Sequence, residues 1–152
     1  MTSLDATAGE KKWPEQADIR IDIAPRSPDV IRMDATDLKF PDAYFDEIYF
    51  HPPYCINPGR LRLLGRWAFF FRKKEWRWFL VKTLAEFNRC LKPYGKLIYN
   101  VDEGRFYGMA HYKDVIGAAK FFGFEVEKDE KTPVTKPMGD TFRHILTLTK
   151  TE

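Results

Sequence analysis

The four residues His51-Pro52-Pro53-Tyr54 combine an imidazole, a phenol and a rigid backbone, and they have the clearest potential for chemistry in the sequence. They follow residues 45–50, a short run with aromatic and β-branched side chains that predicts a buried strand. Proline cannot donate a ladder hydrogen bond, so this strand must end at or just after His51. The carbonyl groups of His51 and Pro52 are then unpaired by the sheet. These carbonyl oxygens can accept hydrogen bonds from a substrate.

Three aspartates follow other short apolar runs. Asp5 precedes a turn of small residues, Asp22 lies within an alternating polar and apolar run, and Asp34 comes after a third short run. Ligands of open α/β sheets bind in the crevice beyond the carboxyl ends of the strands. Each aspartate taken singly is more often a helix cap or a turn residue. Together with His51, we expect the three carboxylates to share one pocket.

A second cluster lies between residues 60 and 79, where seven basic residues stand against one acidic residue, Glu75, with aromatic residues interleaved. The candidate nucleic-acid contacts are Arg60, Arg62, Arg66, Trp67, Arg72, Lys73 and Lys74. Cations that bind phosphates and rings that stack on bases are what single-stranded or extruded nucleic acid requires. A contact between two copies of the chain, as in a homodimer, would use the same residue types, so both partners stay open.

The elements that position these groups are predicted from apolar spacing and turn residues. Residues 76–91 have the three-and-four spacing of an amphipathic helix. Further predicted elements are a strand at 96–101, a helix at 111–122, a strand at 124–127 and, after a polar loop at 131–139, an antiparallel edge strand at 141–150. The interval between Gly9 and Asp18 is too short for a full crossover helix. This order predicts an α/β domain.

Composition limits the class of protein. The 152 residues suit one domain with one core, and 44% hydrophobic with 31% charged residues is ordinary for a soluble globular protein. The net charge of +3 is too small to prove a polyanionic partner. Cys55 and Cys90 lie in no metal-binding spacing, so we expect neither a disulfide nor a metal site. Without an apolar signal region or a long apolar run, we expect a cytoplasmic protein with no membrane partner.

Four stretches together resemble motifs of class I S-adenosylmethionine-dependent methyltransferases, of the type that acts on amino groups of nucleic-acid bases (N6 of adenine or N4 of cytosine). Residues Leu4-Asp5-Ala6-Thr7-Ala8-Gly9 are similar to the first motif of that family. Asp22-Ile23 resembles the acidic strand end that binds ribose hydroxyls, and Asp34-Ala35 the strand end that contacts adenine. His51-Pro52-Pro53-Tyr54 matches the (Asp/Asn/Ser)-Pro-Pro-(Tyr/Phe) catalytic motif, which is specific enough to suggest the reaction.

The resemblance implies a fold and a cofactor. The expected fold is a single Rossmann-like methyltransferase domain over residues 1–152, with a mostly parallel sheet, one antiparallel strand, helices on both faces and a reduced or missing first crossover helix. A basic-aromatic insertion is expected at about residues 55–75. The expected cofactor is S-adenosylmethionine. Its predicted contacts are Asp5, Ala6, Thr7, Ala8, Gly9, Asp22, Ile23, Asp34, Ala35 and His51.

The chemistry of the motif fits the implied reaction. An exocyclic amine is a poor nucleophile because its lone pair is delocalised into the ring, so catalysis depends on positioning. His51 and the Pro52 carbonyl would accept the two amine hydrogens, and Tyr54 would stack on a base extruded from a duplex. An imidazole accepts only when unprotonated, so methyl transfer should fade below a pH of about 6.5. Two other functions stay open: a methyltransferase for a small molecule or a protein, and a noncatalytic nucleic-acid-binding module.

Overall fold

The computed structural model describes residues 1–7, 17–25, 27–52, 55–56, 70–71, 73–102, 110–134 and 141–152. Its strands are β1 (Ser3–Asp5), β2 (Ile19–Asp22), β3 (Ile31–Arg32), β4 (Phe45–Phe50), β5 (Cys55–Ile56), β6 (Phe70–Phe71), β7 (Leu91–Asp102), β8 (Phe124–Val134) and β9 (Thr141–Lys150). Its helices are α1 (Lys73–Cys90) and α2 (Ala110–Phe121). Helix α1 connects β6 to β7, and α2 connects β7 to β8.

Seven strands form one sheet in the order β3-β2-β1-β4-β7-β9-β8. The first five are parallel, and β9 runs antiparallel to both of its neighbours, which confirms the predicted sheet. The prediction that β9 is an edge strand is wrong, because it lies between β7 and β8 and leaves β8 at the edge. Alternating polar and apolar residues report which face of a strand is buried, not its lateral position.

The two helices pack on the same face of the sheet. Phe50 of β4 contacts Phe87 of α1, with ring centroids 4.8 Å apart, and Tyr99 of β7 at 5.2 Å. On that face, Tyr112 of α2 stacks on His144 of β9 with centroids 4.1 Å apart. Phe50, Phe87 and Tyr99 are fully buried and lie in one apolar core. Because aromatic side chains bury a large apolar area, this cluster is a main source of the stability of the sheet.

The opposite face of the sheet is polar. Ser3, Glu47 and Lys96 are paired across β1, β4 and β7 on this side. Tyr49 donates a hydrogen bond of 2.6 Å to Glu47, and burial together with that bond raises the pKa of Tyr49 to about 12. Parallel sheets covered on both faces usually carry apolar residues on both. Within the described residues no helix packs on this face. Helices are expected on both faces of the sheet, and in this part of the chain both lie on the face of Phe50 and His144.

Several predicted boundaries change in the structure. Helix α1 begins at Lys73, three residues before the predicted start, and ends at Cys90. Strand β7 follows at once, so residues 92–95, which separate the predicted helix from the strand predicted at 96–101, lie inside the strand. Strand β8 continues to Val134 and takes up the first part of the loop predicted at 131–139. In the predicted basic-aromatic insertion, β5 and β6 pair in parallel as a separate two-stranded sheet.

The end of α1 is stabilised by a residue of the last strand. The ammonium group of Lys150 donates to the carbonyl oxygens of Asn88 (2.7 Å) and Leu91 (2.9 Å). These carbonyls would otherwise have no partner within the helix. The neighbouring Cys90 is a buried free thiol, and burial raises its pKa to about 11.

A polar clamp ties the loop before β4 to the same helix. The guanidinium of Arg89 donates to the carbonyl oxygens of Phe40 (2.8 Å) and Leu38 (3.0 Å) and to the carboxylate of Asp42 (2.8 Å). Glu86 accepts from Arg89 (3.0 Å) and from the backbone N–H of Leu38 (2.7 Å). The clamp therefore fixes the loop that leads into β4, the strand that His51 directly follows.

Candidate functional site

The candidate site lies where the strand order reverses, between β1 and β4. The chain leaves β1 toward β2 and β3 on one side and leaves β4 toward β7 on the other. Ligands of open α/β sheets bind outside the carboxyl ends of the strands at such a point. The N–H of Ala6 donates to the carbonyl of Tyr49 (2.9 Å), and the N–H of His51 donates to the hydroxyl of Thr7 (2.7 Å). The two strand ends are therefore fixed to each other.

His51 and Pro52 follow directly on the last residue of β4. His51 is half-buried and Pro52 is buried. Phe50 faces the helices, so His51, one residue further along the extended chain, lies on the polar side of the sheet. The predicted end of this strand at the first proline is confirmed. Pro53 and Tyr54, the other half of the motif, lie outside the described residues.

Asp5 is the buried carboxylate of the site. Only 1% of the residue is exposed, and one carboxylate oxygen accepts a hydrogen bond of 3.0 Å from the N–H of Thr7. The other oxygen lies 3.8 Å from Nε of Arg20, a cation that is itself buried. The charge of Asp5 is thus compensated inside the protein, as buried charges must be. In this arrangement Asp5 fixes the turn after β1 and orients the Thr7 hydroxyl toward His51.

Asp22 and Ile23 form the acidic strand end predicted for β2. The carboxylate of Asp22 is half-buried and accepts from the N–H of Ala24 at 2.8 Å. Ile23 exposes 44% of its surface, as several other large apolar residues of the described chain do. A carboxylate next to an exposed apolar surface suits the hydroxyls and the ring of a nucleoside. The pair therefore fits the predicted contact with the cofactor.

Asp34 and Ala35 follow β3, at the far end of the same edge. Asp34 is exposed, and one of its carboxylate oxygens accepts from the N–H and from the hydroxyl of Thr36, both at 2.8 Å. This is a local turn stabilised by a side chain, the commoner fate of an aspartate after a strand. Ala35 is half-buried. The structure thus supports a turn-forming role for the Asp34 carboxylate, and Ala35 packs against the apolar core.

The three aspartates and His51 lie at or just after the ends of four neighbouring strands. Their strands are adjacent and parallel in the order β3, β2, β1, β4. Neighbouring strands are roughly 4.8 Å apart, so the row from β3 to β4 spans roughly 14 Å. That length accommodates a nucleoside with an extended side chain. The edge therefore has a length that suits the predicted cofactor, and carboxylates that can accept its hydrogen bonds.

One polar residue of this edge was not predicted from the sequence. Asn100 of β7 is 4% exposed, and its amide oxygen has no hydrogen-bond partner in the described part of the chain. Phe50 pairs with Tyr99, so Asn100 comes opposite His51 one position further along the two strands. The available signal was an amide near the carboxyl end of the strand next to the catalytic motif.

Part of the predicted site cannot be placed. Of the predicted cofactor contacts, Ala8 and Gly9 lie outside the described residues. The same holds for these candidate nucleic-acid contacts: Arg60, Arg62, Arg66, Trp67 and Arg72. The remaining two, Lys73 and Lys74, begin α1.

The sequence matches no family model and no curated protein. Its fold does match solved structures. A SAM-dependent methyltransferase from Methanosarcina mazei matches over 98% of this chain and 92% of its own, with a TM-score of 0.63 and 12% identity. A 1,6-didemethyltoxoflavin-N1-methyltransferase from Burkholderia thailandensis, solved with 1,6-didemethyltoxoflavin and S-adenosylhomocysteine, matches over 99% and 71%, with a TM-score of 0.65 and 15% identity. The fold is that of the S-adenosylmethionine-dependent methyltransferases.

A third matching structure is named for an activity on DNA. A candidate DNA modification methylase from Thermus thermophilus, solved with S-adenosyl-L-methionine, matches over 100% of this chain at a TM-score of 0.55 and 18% identity. The match covers 56% of that protein, so the present chain spans little more than half of its length. At these identities the likeness to all three proteins is one of fold.

Among the residues that the structure describes, no three or more His, Cys, Asp or Glu side chains are grouped so that they could hold a metal ion. Neither helix of this part of the chain is long and apolar enough to cross a membrane.

Proposed function

We propose that this protein transfers the methyl group of S-adenosylmethionine to an exocyclic amino group of adenine or cytosine in a nucleic acid. The observation that carries the proposal is the position of His51 and Pro52 at the reversal of strand order, hydrogen-bonded to the turn after β1 through Thr7. The match of the whole chain to structures with the methyltransferase fold supports it.

The described residues of the edge fit the cofactor. Asp22 would accept hydrogen bonds from the ribose hydroxyls, and the exposed Ile23 and half-buried Ala35 would lie against the adenine ring. Asp5 would act through the backbone, because its carboxylate holds the N–H of Thr7 and so shapes the turn. When bound, S-adenosylmethionine supplies a methyl group on a sulfonium, which is already a good leaving group. The protein therefore needs to position the acceptor rather than to activate the donor.

Positioning of the amine would fall to the corner after β4. The lone pair of an exocyclic amine is delocalised into the base, so holding its hydrogens out of the ring plane favours attack. An unprotonated nitrogen of His51 and the carbonyl of Pro52 would accept those two hydrogens. A base inside a duplex would have to be extruded to reach this corner. Tyr54, predicted from the motif, would then stack on it.

The experiment has two arms. Calorimetric titration with S-adenosylmethionine and with S-adenosylhomocysteine measures cofactor binding, and transfer of tritium from labelled S-adenosylmethionine into DNA, RNA and small amines measures the reaction. Binding with transfer into adenine or cytosine of a nucleic acid is the expected result. Absence of binding would favour the noncatalytic module, and binding without transfer into any nucleic acid would overturn the proposed substrate.

A second candidate function is methylation of a nitrogen in a small heterocyclic molecule. The Burkholderia thailandensis structure favours it, because its name gives a nitrogen of a small molecule as the methyl acceptor and its TM-score of 0.65 exceeds the 0.55 of the DNA modification methylase. A corner that holds two amine hydrogens serves either acceptor. Transfer of tritium into small amines but not into nucleic acid would select this function.

The nucleic-acid partner itself is proposed from the basic residues before and at the start of α1. Exposed cations that contact phosphates make binding weaken steeply with salt. We expect binding of a single-stranded oligonucleotide at low salt, with loss of most of the affinity between about 50 and 200 mM salt. Lys73→Gln and Lys74→Gln, as single variants, should each bind less tightly, whereas Lys82→Gln, further along the same helix, removes the same single charge and serves as the control.

A further inference from the structure

The polar side of β7 carries an amide that the proposed reaction has not yet used. Asn100 is 4% exposed, and its Oδ1 has no hydrogen-bond partner within the described residues. Buried polar atoms without a partner are rare in folded proteins, because the atom loses its water and gains nothing in return. An apolar residue of the same size would avoid this cost at the same position. The amide oxygen can therefore accept a hydrogen bond from a bound ligand.

The location of Asn100 indicates what that use is. Tyr99 pairs with Phe50 and both side chains face the helices, so Asn100 and His51 follow them on the opposite side of the sheet. Neighbouring strands are roughly 4.8 Å apart, which puts the amide within reach of a small planar ligand held by His51. On the other flank Asn100 pairs with Ile145 of β9, which offers it no polar side chain.

The chemistry of an amide matches one edge of adenine and cytosine. Each base has its exocyclic amino group beside a ring nitrogen that accepts a hydrogen bond. An asparagine amide can donate to that ring nitrogen through its nitrogen, while its oxygen shares one amino hydrogen with His51 in a three-centre bond. Rotation about the last side-chain bond of asparagine is soft, so the amide can turn from its buried position toward a bound base. Because the same rotation exchanges the two ends of the amide, Asn100 can also pair with the keto edge of uracil. Rejection of uracil therefore falls to His51 and the Pro52 carbonyl, which both need an amine hydrogen.

We infer that Asn100 binds the substrate base by its amino-bearing edge. This inference rests on the proposed function and names a further base-binding residue of that site. His51 and Pro52 position the amino nitrogen for attack, and Asn100 recognises the base that carries it.

The test compares Asn100→Leu with Tyr99→Phe. Tyr99 also has a fully buried polar atom without a partner in the described residues, its hydroxyl, but on the helix side of the same strand, so Tyr99→Phe is a matched control. With S-adenosylhomocysteine present to fill the cofactor site, the probes are AMP, CMP and UMP in equilibrium binding. We expect Asn100→Leu to bind AMP and CMP about tenfold more weakly than wild type does, and Tyr99→Phe to bind them as tightly as wild type. UMP gives His51 and Pro52 no amine hydrogen and should bind more weakly than AMP or CMP in all three proteins.

Two further measurements make the outcome decisive. Thermal unfolding of Asn100→Leu should match or exceed wild type, and a Tm several degrees lower would assign the amide a structural role and overturn the inference. Equal affinities of Asn100→Leu and wild type for AMP and CMP would also overturn it, as would the absence of binding of either nucleotide to wild type. If wild type binds AMP or CMP more tightly than Asn100→Leu does but transfers no methyl group to them, the proposed function fails while the role of Asn100 in binding stands.

Discussion

The backbone N–H of His51 donates a hydrogen bond of 2.7 Å to the hydroxyl of Thr7, across the point where the strand order of the sheet reverses. The N–H of Thr7 in turn donates to the buried carboxylate of Asp5 at 3.0 Å. The corner that would hold the methyl acceptor is thus positioned by the turn that would hold the methyl donor. A change in one half of the site should therefore be felt in the other.

Replacing Thr7 by valine tests this coupling, because valine keeps the shape of threonine and removes the hydroxyl. We expect Thr7→Val to lower the free energy of unfolding by about 1 kcal/mol, the usual worth of one hydrogen bond. Because His51 would lose its anchor, the rate of methyl transfer should fall by about tenfold or more, since small misplacement of reacting groups is costly. Thr7→Ser restores the hydroxyl and should retain most of the activity. Equal rates for Thr7→Val and wild type would contradict the coupling.

The second prediction concerns the imidazole of His51. If an unprotonated nitrogen accepts an amine hydrogen, the rate should fall as the pH drops below about 6.5, where an ordinary histidine becomes protonated. His51→Asn carries an amide oxygen that accepts at every pH in this range. We expect this variant to keep measurable activity and to lose the decrease between about pH 7 and 5.5. Rates measured with saturating cofactor and substrate, flat over that range in wild type, would exclude the imidazole as the acceptor.

Much of this arrangement could be predicted from the sequence, because its causes are local. The proline after His51 ends β4, and short apolar runs followed by Asp5 and Asp22 mark the ends of β1 and β2. Parallel strands bring their carboxyl ends to one edge, so the strand ends predict the site. The same argument predicts that Asp34 lies in the site with Asp5 and Asp22, but its carboxylate accepts from Thr36 and forms a local turn. An aspartate after a strand has both uses, and local sequence does not separate them.

The remainder depends on contacts between distant parts of the chain. The place of β9 between β7 and β8 follows from pairing with both strands, which its alternating pattern does not specify. The cap at the end of α1 comes from Lys150, 62 residues beyond Asn88, whose carbonyl oxygen it caps. Asn100 becomes notable only because its oxygen is buried opposite His51, and its burial is produced by neighbouring strands. No local pattern contains that information.

The third prediction concerns the core that supports β4. Phe50 is fully buried against Phe79 and Phe87 of α1, with ring centroids 6.0 and 4.8 Å away. Phe50→Ala should lower the free energy of unfolding by about 3–5 kcal/mol, the usual cost of removing a buried ring and leaving a cavity. Trp78, on the outer side of α1, is 57% exposed. Trp78→Ala should cost about 0.5 kcal/mol or less, which urea denaturation can distinguish. Similar losses in the two variants would contradict the assigned burial.

The fourth prediction follows from the clamp of Glu86 and Arg89. Hydrogen bonds from Arg89, and to a lesser extent from the N–H of Leu38, hold the pKa of the Glu86 carboxyl below its usual value despite partial burial. A carboxyl whose pKa is lowered by folding stabilises the folded state above its unfolded pKa, about 4.3, and this contribution is lost as the pH falls through the lower folded value. We expect Glu86→Gln to cost about 2 kcal/mol at pH 7, as for a hydrogen bond between charged groups.

The cost of Glu86→Gln should shrink as the pH falls below about 4, because wild type then loses the same charge. Urea denaturation of both proteins at pH 7, 5 and 3.5 measures the difference. Glu125→Gln, at an exposed position of β8, is the control and should stay within about 0.5 kcal/mol of wild type at each pH. Since the clamp holds the loop that leads into β4, Glu86→Gln should also reduce methyl transfer more than Glu125→Gln does. A difference between wild type and Glu86→Gln that is constant with pH would mean that the carboxylate charge contributes nothing to this clamp.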